Sequence, residues 1–481
     1  MNAPQDFPHG RGSAAAAAAA GGAPAIEFDA ALIARYDQSG PRYTSYPTAD
    51  RFTPDFDADA YAAQLRARTA RDPGPLSLYV HLPFCSTVCF YCACNKIVTG
   101  DRAKAARYLP FLAREIALQA AHCGAAREIR QLHWGGGTPT FYSDAELAAV
   151  MTGLREHFIF APDGEYSIEV DPRGLSAARV AHLGALGFNR MSLGVQDFDP
   201  RVQRAVNRVQ SVEETRAVLE AARACGFRSL SVDLIYGLPH QHIRSFARTL
   251  DEIIAAAPDR VSVYNYAHLP HLFKPQQRIT ADDLPSAGEK LEILHETITR
   301  LTGAGYVYIG MDHFARAGDE LVRARDAGSL HRNFQGYSTH ADLDMLALGV
   351  TAIGRIGPTY SQNQRDTDGY YAALADDRLP IFRGYACDAD DLLRREIIQT
   401  LMCGYALDFR ALGARHGIDP RQYFAAEFAD LDLLAADGLV TWRDDVLCAT
   451  PRGRLLLRAI GMIFDRHLRA DRARRAYSRV I

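Results

Sequence analysis

The sequence predicts an α/β protein, a partial parallel (βα)6 barrel with an N-terminal arm and a small, mainly helical C-terminal domain. Short apolar strands alternate with amphipathic helical stretches at a spacing of roughly 30 residues, which is typical of βα units and a parallel sheet. Polar side chains stand at the carboxyl ends of several strands, where parallel βα folds bind ligands. From about residue 388 the pattern becomes mostly helical. A doubly wound open sheet is the alternative fold.

The strands that predict the barrel occupy residues 76–82, 131–134, 166–170, 190–195, 230–235 and 261–266. The helical stretches between them include residues 108–121, 177–186, 212–224 and 243–256. We therefore expect four regions: a disordered leader rich in Ala, Gly and Pro over 1–25, an arm over 26–75, the barrel with substrate-site extensions over 76–375, and the helical domain over 376–481.

The composition is that of an ordinary globular protein. The 481 residues include 54 Lys and Arg against 57 Asp and Glu, a formal net charge of −3, and 48% are hydrophobic. No excess of positive charge indicates a nucleic-acid partner. No apolar run reaches the roughly 18 residues that a membrane span needs. We expect a cytoplasmic monomer of two or three packed units.

Four of the nine cysteines, Cys85, Cys89, Cys92 and Cys94, lie within one short segment. The odd total and uneven spacing argue against a disulfide framework. Such a dense group in a reducing compartment indicates metal or redox chemistry. The other five cysteines are expected to be small buried hydrophobic residues.

Three interpretations of these thiols are open. Cys85, Cys89 and Cys92 have the spacing of one helix face, although Pro83 and the β-branched and aromatic residues between them disfavour a helix. A structural zinc ion usually takes two separated pairs of ligands, and the sequence has no second pair. An iron–sulfur cluster on three thiolates leaves one iron open to a cofactor or substrate. The cluster is the favoured interpretation.

The strand ends supply further candidates. Glu169, Gln196 and Asp233 stand within or directly after apolar strands and indicate ligand contacts. Asp171 and Asp197 are expected to serve as turn formers or helix caps. The three glycines of the WGGGTPT segment (134–140) follow the second strand, where bare backbone would allow a cofactor to approach closely.

The thiol loop and this glycine segment resemble the radical S-adenosylmethionine (SAM) superfamily. Other segments resemble one family within it, the oxygen-independent coproporphyrinogen III oxidases, also called coproporphyrinogen dehydrogenases. These segments are GPRYTSYPTA, HLPFC, CACN, GVQDF, VNR, DLIYGLP, NYAHLP, GMDHFAR and HRNFQGY. The resemblance runs from about residue 36 to the C-terminus and implies the radical SAM form of the barrel.

The resemblance implies one 4Fe-4S cluster on Cys85, Cys89 and Cys92, with SAM on the open iron, and a second bound SAM. For the first SAM it implies contacts from Tyr79, Gly136, Glu169 and Ile353. For the second it implies contacts from Tyr91, Gly137, Thr138, Gln196, Arg208, Asp233 and Ala267.

The implied reaction converts the propionates on rings A and B of coproporphyrinogen III to vinyl groups without oxygen. It gives protoporphyrinogen IX, for porphyrin and haem biosynthesis, through a 5′-deoxyadenosyl radical and an electron from a small donor such as a flavodoxin. Because the substrate carries four carboxylates, arginines should hold it, and the candidates are Arg42, Arg316 and Arg332. Tyr43, Tyr46 and Phe334 are further candidates to pack on the tetrapyrrole, with core packing as the usual alternative for aromatic residues. Cys94 is the thiol left over near the site and has no assigned step.

The alternative function is that of a haem chaperone of the same superfamily, which binds haem without oxidase activity. Such relatives share the three-cysteine loop but generally lack the fourth thiol and the PRYTSYPT arm. Cys94 and the segment from Arg42 to Thr48 therefore favour the enzyme.

Overall fold

A computed structural model describes residues 26–70, 74–124, 127–340 and 343–470, so the predicted leader over 1–25 lies outside the described residues. The strands in the described part are β1 (Leu76–Leu82), β2 (Phe84–Cys85), β3 (Ile97–Val98), β4 (Glu128–Gly136), β5 (Ile159–Val170), β6 (Arg190–Gln196), β7 (Ser229–Tyr236), β8 (Arg260–Asn265), β9 (Tyr306–Gly310), β10 (His313–Arg316), β11 (His331–Asn333), β12 (Gly336–Ser338), β13 (Asp344–Leu348), β14 (Ile353–Ile356), β15 (Thr359–Asn363), β16 (Ile381–Ala386), β17 (Ala406–Asp408), β18 (Val440–Arg443) and β19 (Val446–Ala449).

The α-helices of the same residues are α1 (Ala30–Tyr36), α2 (Ala58–Thr69), α3 (Arg102–His122), α4 (Asp144–His157), α5 (Ala177–Ala185), α6 (Pro200–Ala205), α7 (Val212–Ala224), α8 (Ile243–Ala256), α9 (Ala287–Gly303), α10 (Glu320–Asp326), α11 (Thr367–Ala375), α12 (Ala389–Gly404), α13 (Phe409–His416), α14 (Pro420–Tyr423), α15 (Ala425–Ala436), α16 (Leu457–Met462) and α17 (Arg466–Ala470). No helix in the described ranges is long and apolar enough to cross a membrane.

Six parallel strands form the barrel in the order β1-β4-β5-β6-β7-β8, which confirms the predicted (βα)6 unit. Along β7, Leu230, Val232 and Leu234 are buried, whereas Ser231 and Asp233 are partly exposed. Alternate residues of a strand face opposite sides. The apolar residues therefore pack under the helices, and the polar ones line an interior that is open to solvent.

The sheet continues on both sides of this barrel and reaches twelve strands. On one side β13 pairs with β1 in parallel, and β14, β15 and β16 follow in antiparallel order. On the other side β10 and then β9 add antiparallel to β8. The sequence analysis did not predict these outer strands, and the sheet runs through Ala386, beyond the predicted domain boundary at 375.

The C-terminal region is mainly helical and holds a three-stranded sheet in the order β17-β19-β18. Its core takes in Tyr43 and Tyr46 of the arm, which are 1% and 0% exposed. The Tyr43 hydroxyl donates to Asp465 Oδ2 at 3.1 Å, and the backbone N–H of Arg466 donates to the Tyr46 hydroxyl at 3.1 Å. The prediction that these two tyrosines pack on a tetrapyrrole is wrong, because they are enclosed in this core.

Candidate active site at the open end of the barrel

The thiol loop leaves the carboxyl end of β1 and returns at β3 without forming a helix, so the helix-face interpretation of its cysteines is wrong. Cys85 and Cys89 are buried, Cys92 is half-buried and Cys94 is exposed, and none of them forms a disulfide. The Cys85 Sγ lies 3.5 Å from the Thr138 hydroxyl. Burial raises the pKa of the Cys85 thiol to about 11.

The glycine segment after β4 holds the thiol loop in place. The backbone N–H groups of Gly137 and Thr138 donate to the carbonyls of Leu82 and Phe84, each at 2.9 Å. A Cβ at Gly137 would come within 2.5 Å of the Pro83 carbonyl. Glycine is therefore required here for contact between two backbones, a role that the sequence analysis did not assign to it.

The segment after α6 holds the other side of the loop. The Asn207 side chain donates to the Val88 carbonyl at 2.7 Å, and the backbone N–H of Phe90 donates to the Val206 carbonyl at 3.0 Å. The Gln276 amide donates to the carbonyl of Tyr91 at 3.0 Å. Two loops that follow different barrel strands thus position the thiols.

Positive charge lies beside the thiols. Arg208 Nη1 is 3.6 Å from Cys89 Sγ and 3.1 Å from Asp171 Oδ2. A hydrogen bond from the Cys94 thiol lowers the pKa of Cys92, burial opposes this effect, and Lys96 adds to it. Thiolates that bind a cluster carry negative charge. The donor set and its cations therefore fit an iron–sulfur cluster.

Asp171 forms the expected turn, since its Oδ1 accepts from the backbone N–H of Arg173 at 3.1 Å, but it also has a second role. Its carboxylate accepts hydrogen bonds from both Arg208 and Arg173, and Arg173 Nη2 in turn donates to Thr87 in the thiol loop at 3.3 Å. Burial alone would raise the pKa of Asp171, but these two guanidinium groups lower it. Its position directly after a buried strand was the signal available in the sequence.

Inside the barrel, three side chains of adjacent strands contact one another. The Tyr79 and His133 rings stack at a centroid distance of 6.0 Å, and His133 Nε2 lies 2.9 Å from Glu169 Oε1. Burial would raise the pKa of Glu169, but the His133 contact and the backbone N–H of Gly136 lower it. A Cβ at Gly135 would lie 2.7 Å from the Glu169 carboxyl carbon. The interior thus presents an ionised carboxylate, which can accept from ammonium or ribose hydroxyl groups.

Asp233 provides a second carboxyl group inside the barrel. Ser192 donates to its Oδ2 at 3.1 Å. Burial, followed by repulsion from Glu169, raises the pKa of Asp233 to about 6. The two carboxyl groups therefore differ in proton affinity, and Asp233 is the one that takes up a proton first as the pH falls.

The other predicted SAM contacts surround the same open end. Gln196 ends β6 with a φ of 70°, and Ala267 stands two residues after the end of β8. Ile353 begins β14, which runs antiparallel to β13, so Ile353 lies at the carboxyl end of β13. The structure thus brings the predicted residues to one end of the sheet.

Of the three predicted substrate arginines, two come together and one does not. Arg332 Nε donates to the Arg42 carbonyl at 3.3 Å. Arg316 ends β10, which is antiparallel to β8, and its guanidinium donates to the carbonyls of Pro258 and Ala257 before β8 begins. Arg316 therefore lies at the opposite end of the barrel from the thiols. The sequence analysis missed Arg458, which reaches the arm that carries Arg42.

Comparisons with known proteins agree with this geometry. Residues 79–253 match the Radical SAM superfamily, and residues 387–456 match the HemN C-terminal domain. These matches define the class, a radical SAM protein with a 4Fe-4S cluster and SAM as its cofactors, and the barrel and thiol loop have the form that this class requires.

The relatives define the family more narrowly. The chain is 52% identical over 460 residues to the oxygen-independent coproporphyrinogen III oxidase of Pseudomonas aeruginosa, covering 95% of this chain and 99% of the relative. It is 49% identical over 456 residues to the enzyme of the same name from Escherichia coli, covering 95% and 99%. The solved structure of coproporphyrinogen III oxidase (HemN) from Escherichia coli superposes with a TM-score of 0.87 at 48% identity, covering 92% of this chain and all of that one. The chain belongs to the oxygen-independent coproporphyrinogen III oxidase family.

Proposed function

We propose that this chain removes the carboxylates of the ring A and ring B propionates of coproporphyrinogen III, without oxygen, and leaves two vinyl groups in protoporphyrinogen IX. One observation carries the proposal: the thiol loop closes over a barrel interior lined with carboxyl groups, while Arg42 and Arg332 come together beside the same interior. Names of close relatives support the same reaction.

Cys85, Cys89 and Cys92 are the proposed cluster ligands. When bound, the cluster and SAM supply a 5′-deoxyadenosyl radical that can take a hydrogen atom from the β-carbon of a propionate. Cys94 is left outside the ligand set.

The chain's own residues are proposed to bind and orient two SAM molecules. Glu169 and the stacked ring of Tyr79 face the first, with Gly136 and Ile353 at its edges. Arg208 faces the carboxylate of the second, and Asp233 accepts from its hydroxyl or ammonium groups. The second molecule's other contacts are Tyr91, Gly137, Thr138, Gln196 and Ala267.

The proposed electron donor is a small acidic protein such as a flavodoxin. The chain itself is proposed to act as a monomer. Ser86 and Thr87 are exposed at the tip of the thiol loop, and Arg173 contacts this tip. Positive charge next to the shortest route to the cluster suits an acidic partner, because opposite charges speed encounter.

The test is an anaerobic reaction of the reconstituted protein with coproporphyrinogen III, SAM and a chemical reductant. We expect protoporphyrin after oxidation of the products, and 5′-deoxyadenosine beside it, measured by chromatography. Cys85→Ala should lose the brown colour and both products, whereas Cys225→Ala, at an exposed cysteine far along the chain, should retain them.

The haem chaperone is the alternative outcome of this experiment. If the wild-type protein forms no protoporphyrin but retains haem through purification, the oxidase proposal is wrong. Zinc in place of iron and sulfide in oxygen-free protein would also overturn it.

A further inference from the structure

Three guanidinium groups from distant parts of the chain meet beside the barrel, and we call them the arginine triad: Arg42 of the arm, Arg332 of β11 and Arg458 of α16. Arg332 Nε donates to the carbonyl of Arg42 at 3.3 Å. Arg458 Nε donates to the carbonyl of Pro41 at 3.1 Å, and its Nη2 donates to the carbonyl of Gly40. Arg332 and Arg458 therefore both hold the backbone of the arm at the segment that carries Arg42.

Aromatic rings form the wall around the triad. The Arg42 guanidinium lies 5.5 Å from the centre of the Tyr264 ring, and that of Arg332 lies 4.9 Å from the centre of the Tyr337 ring. The His313 ring stands edge-on to both tyrosines, at centroid distances of 5.9 and 5.2 Å. Flat apolar walls next to fixed cations suit a flat molecule that carries carboxylates.

The three guanidinium groups of the triad repel one another. Asp312 pairs with Arg42, and the Asp37 carboxylate acts on the neighbouring Tyr236. Burial, followed by repulsion from Arg332, lowers the pKa of Arg42, and burial with repulsion from Arg42 lowers that of Arg458 to about 9. Three guanidinium groups thus lie close enough to repel one another in a site where charge is costly to bury, which favours an anionic ligand.

Arg42 Nη2 and Asp312 Oδ2 form an ion pair with each other, but Arg332 Nη1 and His313 Nδ1 have no hydrogen-bond partner among the described residues. Arg332 is only 3% exposed. A buried guanidinium nitrogen without an acceptor is costly, and a ligand oxygen would satisfy it. The charge and the missing acceptor therefore indicate the same chemistry, an anionic oxygen group.

The triad shares a wall with the barrel interior. The Tyr264 side chain belongs to β8, and Asp233 of the interior and Arg42 and Arg332 of the triad all act on it electrostatically. A tetrapyrrole that reaches the interior with one side chain can thus place another on the triad. The carboxylate bound there cannot be the one that leaves as carbon dioxide, since the anchor would be lost during the reaction.

We propose that the arginine triad is the anchor for a propionate of the tetrapyrrole other than the one that reacts. This inference rests on the proposed function for the identity of the tetrapyrrole. Arg458 and His313 join the substrate site as residues that position the substrate, and the C-terminal region thereby becomes part of that site.

The test is a binding titration of the anaerobically reconstituted protein with coproporphyrin III, the oxidised and unreactive form, followed by absorption and fluorescence. Arg332→Met should raise the Kd about 10- to 100-fold, as expected for the loss of a charge-assisted hydrogen bond. Arg316→Gln, at the other end of the barrel, is the matched control and should leave the Kd unchanged. The tetramethyl ester of coproporphyrin should bind wild type and Arg332→Met equally.

A second variant is expected to bind coproporphyrin more tightly, a result that misfolding cannot produce. Asp312→Asn removes the carboxylate that competes for Arg42, and we expect it to tighten coproporphyrin binding several-fold. Equal Kd values for wild type, Arg332→Met and Asp312→Asn would overturn the anchor. A tetramethyl ester that binds the wild type as tightly as the free acid would do the same. Because these titrations need no turnover, failure of the anchor is distinguishable from failure of the oxidase reaction, which is read from protoporphyrin formation.

Discussion

The proton affinity of Asp233 has a consequence for stability. Its pKa is raised to about 6, first by burial and then by Glu169, so the folded protein binds a proton that an unfolded Asp releases at lower pH. The stability from this carboxyl group is complete below the unfolded pKa of about 4 and is lost as the pH rises through 6. Asp233 therefore destabilises the cofactor-free protein at neutral pH.

Asp233→Asn should increase the free energy of unfolding of the cofactor-free protein, by about 1 kcal/mol more at pH 8 than at pH 5. Urea unfolding at the two pH values measures this difference. Asp163→Asn, at a carboxylate whose side chain is 75% exposed, should show no such difference. An equal effect of Asp233→Asn at both pH values would mean that its carboxyl group does not titrate in this range.

At the residue scale, the sequence predicted the kind of chemistry better than the end of the barrel at which a side chain lies. Cys85, Cys89 and Cys92 stand in one short segment, so their proximity follows from the chain itself. Arg316 was misplaced because nothing in the sequence shows that β10 runs antiparallel to β8, which carries its last residue to the far end. Arg458 was missed because its partners Gly40 and Pro41 are separated from it by almost the whole chain.

Among the elements, the thiol loop depends on the glycine turn after β4. Gly137→Ala would place a Cβ within 2.5 Å of the Pro83 carbonyl, where backbone must move to relieve the clash. We expect this variant to lose most of its iron on reconstitution, measured by iron and sulfide analysis, because the loop that carries the ligands is displaced.

Gly153→Ala is the matched control. Gly153 lies within α4, and a Cβ there would meet no atom within 4 Å. This change should preserve the iron content and stabilise the protein by about 0.5–1 kcal/mol, as alanine does within a helix. Full iron content in Gly137→Ala would contradict the proposed role of the glycine turn.

The barrel strands were predictable because each joins an apolar run to a turn and a helix. The outer strands β9, β10 and β13 to β16 were not, since each has only four to six residues and several pair with strands distant in the chain. Short segments of this kind carry too little periodicity to be distinguished from loops. The same limit hid the second role of Asp171, because its partner Arg208 comes from another βα unit.

At the scale of the whole molecule, the arm is part of the C-terminal core. Tyr46 is 0% exposed there, and we expect Tyr46→Ala to lower the free energy of unfolding by about 3–5 kcal/mol, measured by denaturant titration. Leu433→Ala, at a side chain that is 65% exposed, should change it by no more than about 0.5 kcal/mol. A small effect at Tyr46 would show that the arm is not needed to complete this core.

The hydrogen bonds from Arg458 to the carbonyls of Gly40 and Pro41 also affect the order in which the two sites are completed during synthesis. A nascent chain that has left the ribosome as far as the barrel already carries all the cysteines of the thiol loop. It cannot complete the arginine triad until α16 has emerged. If the triad is the anchor, the porphyrin site is therefore completed only after the thiol loop has long been available for folding.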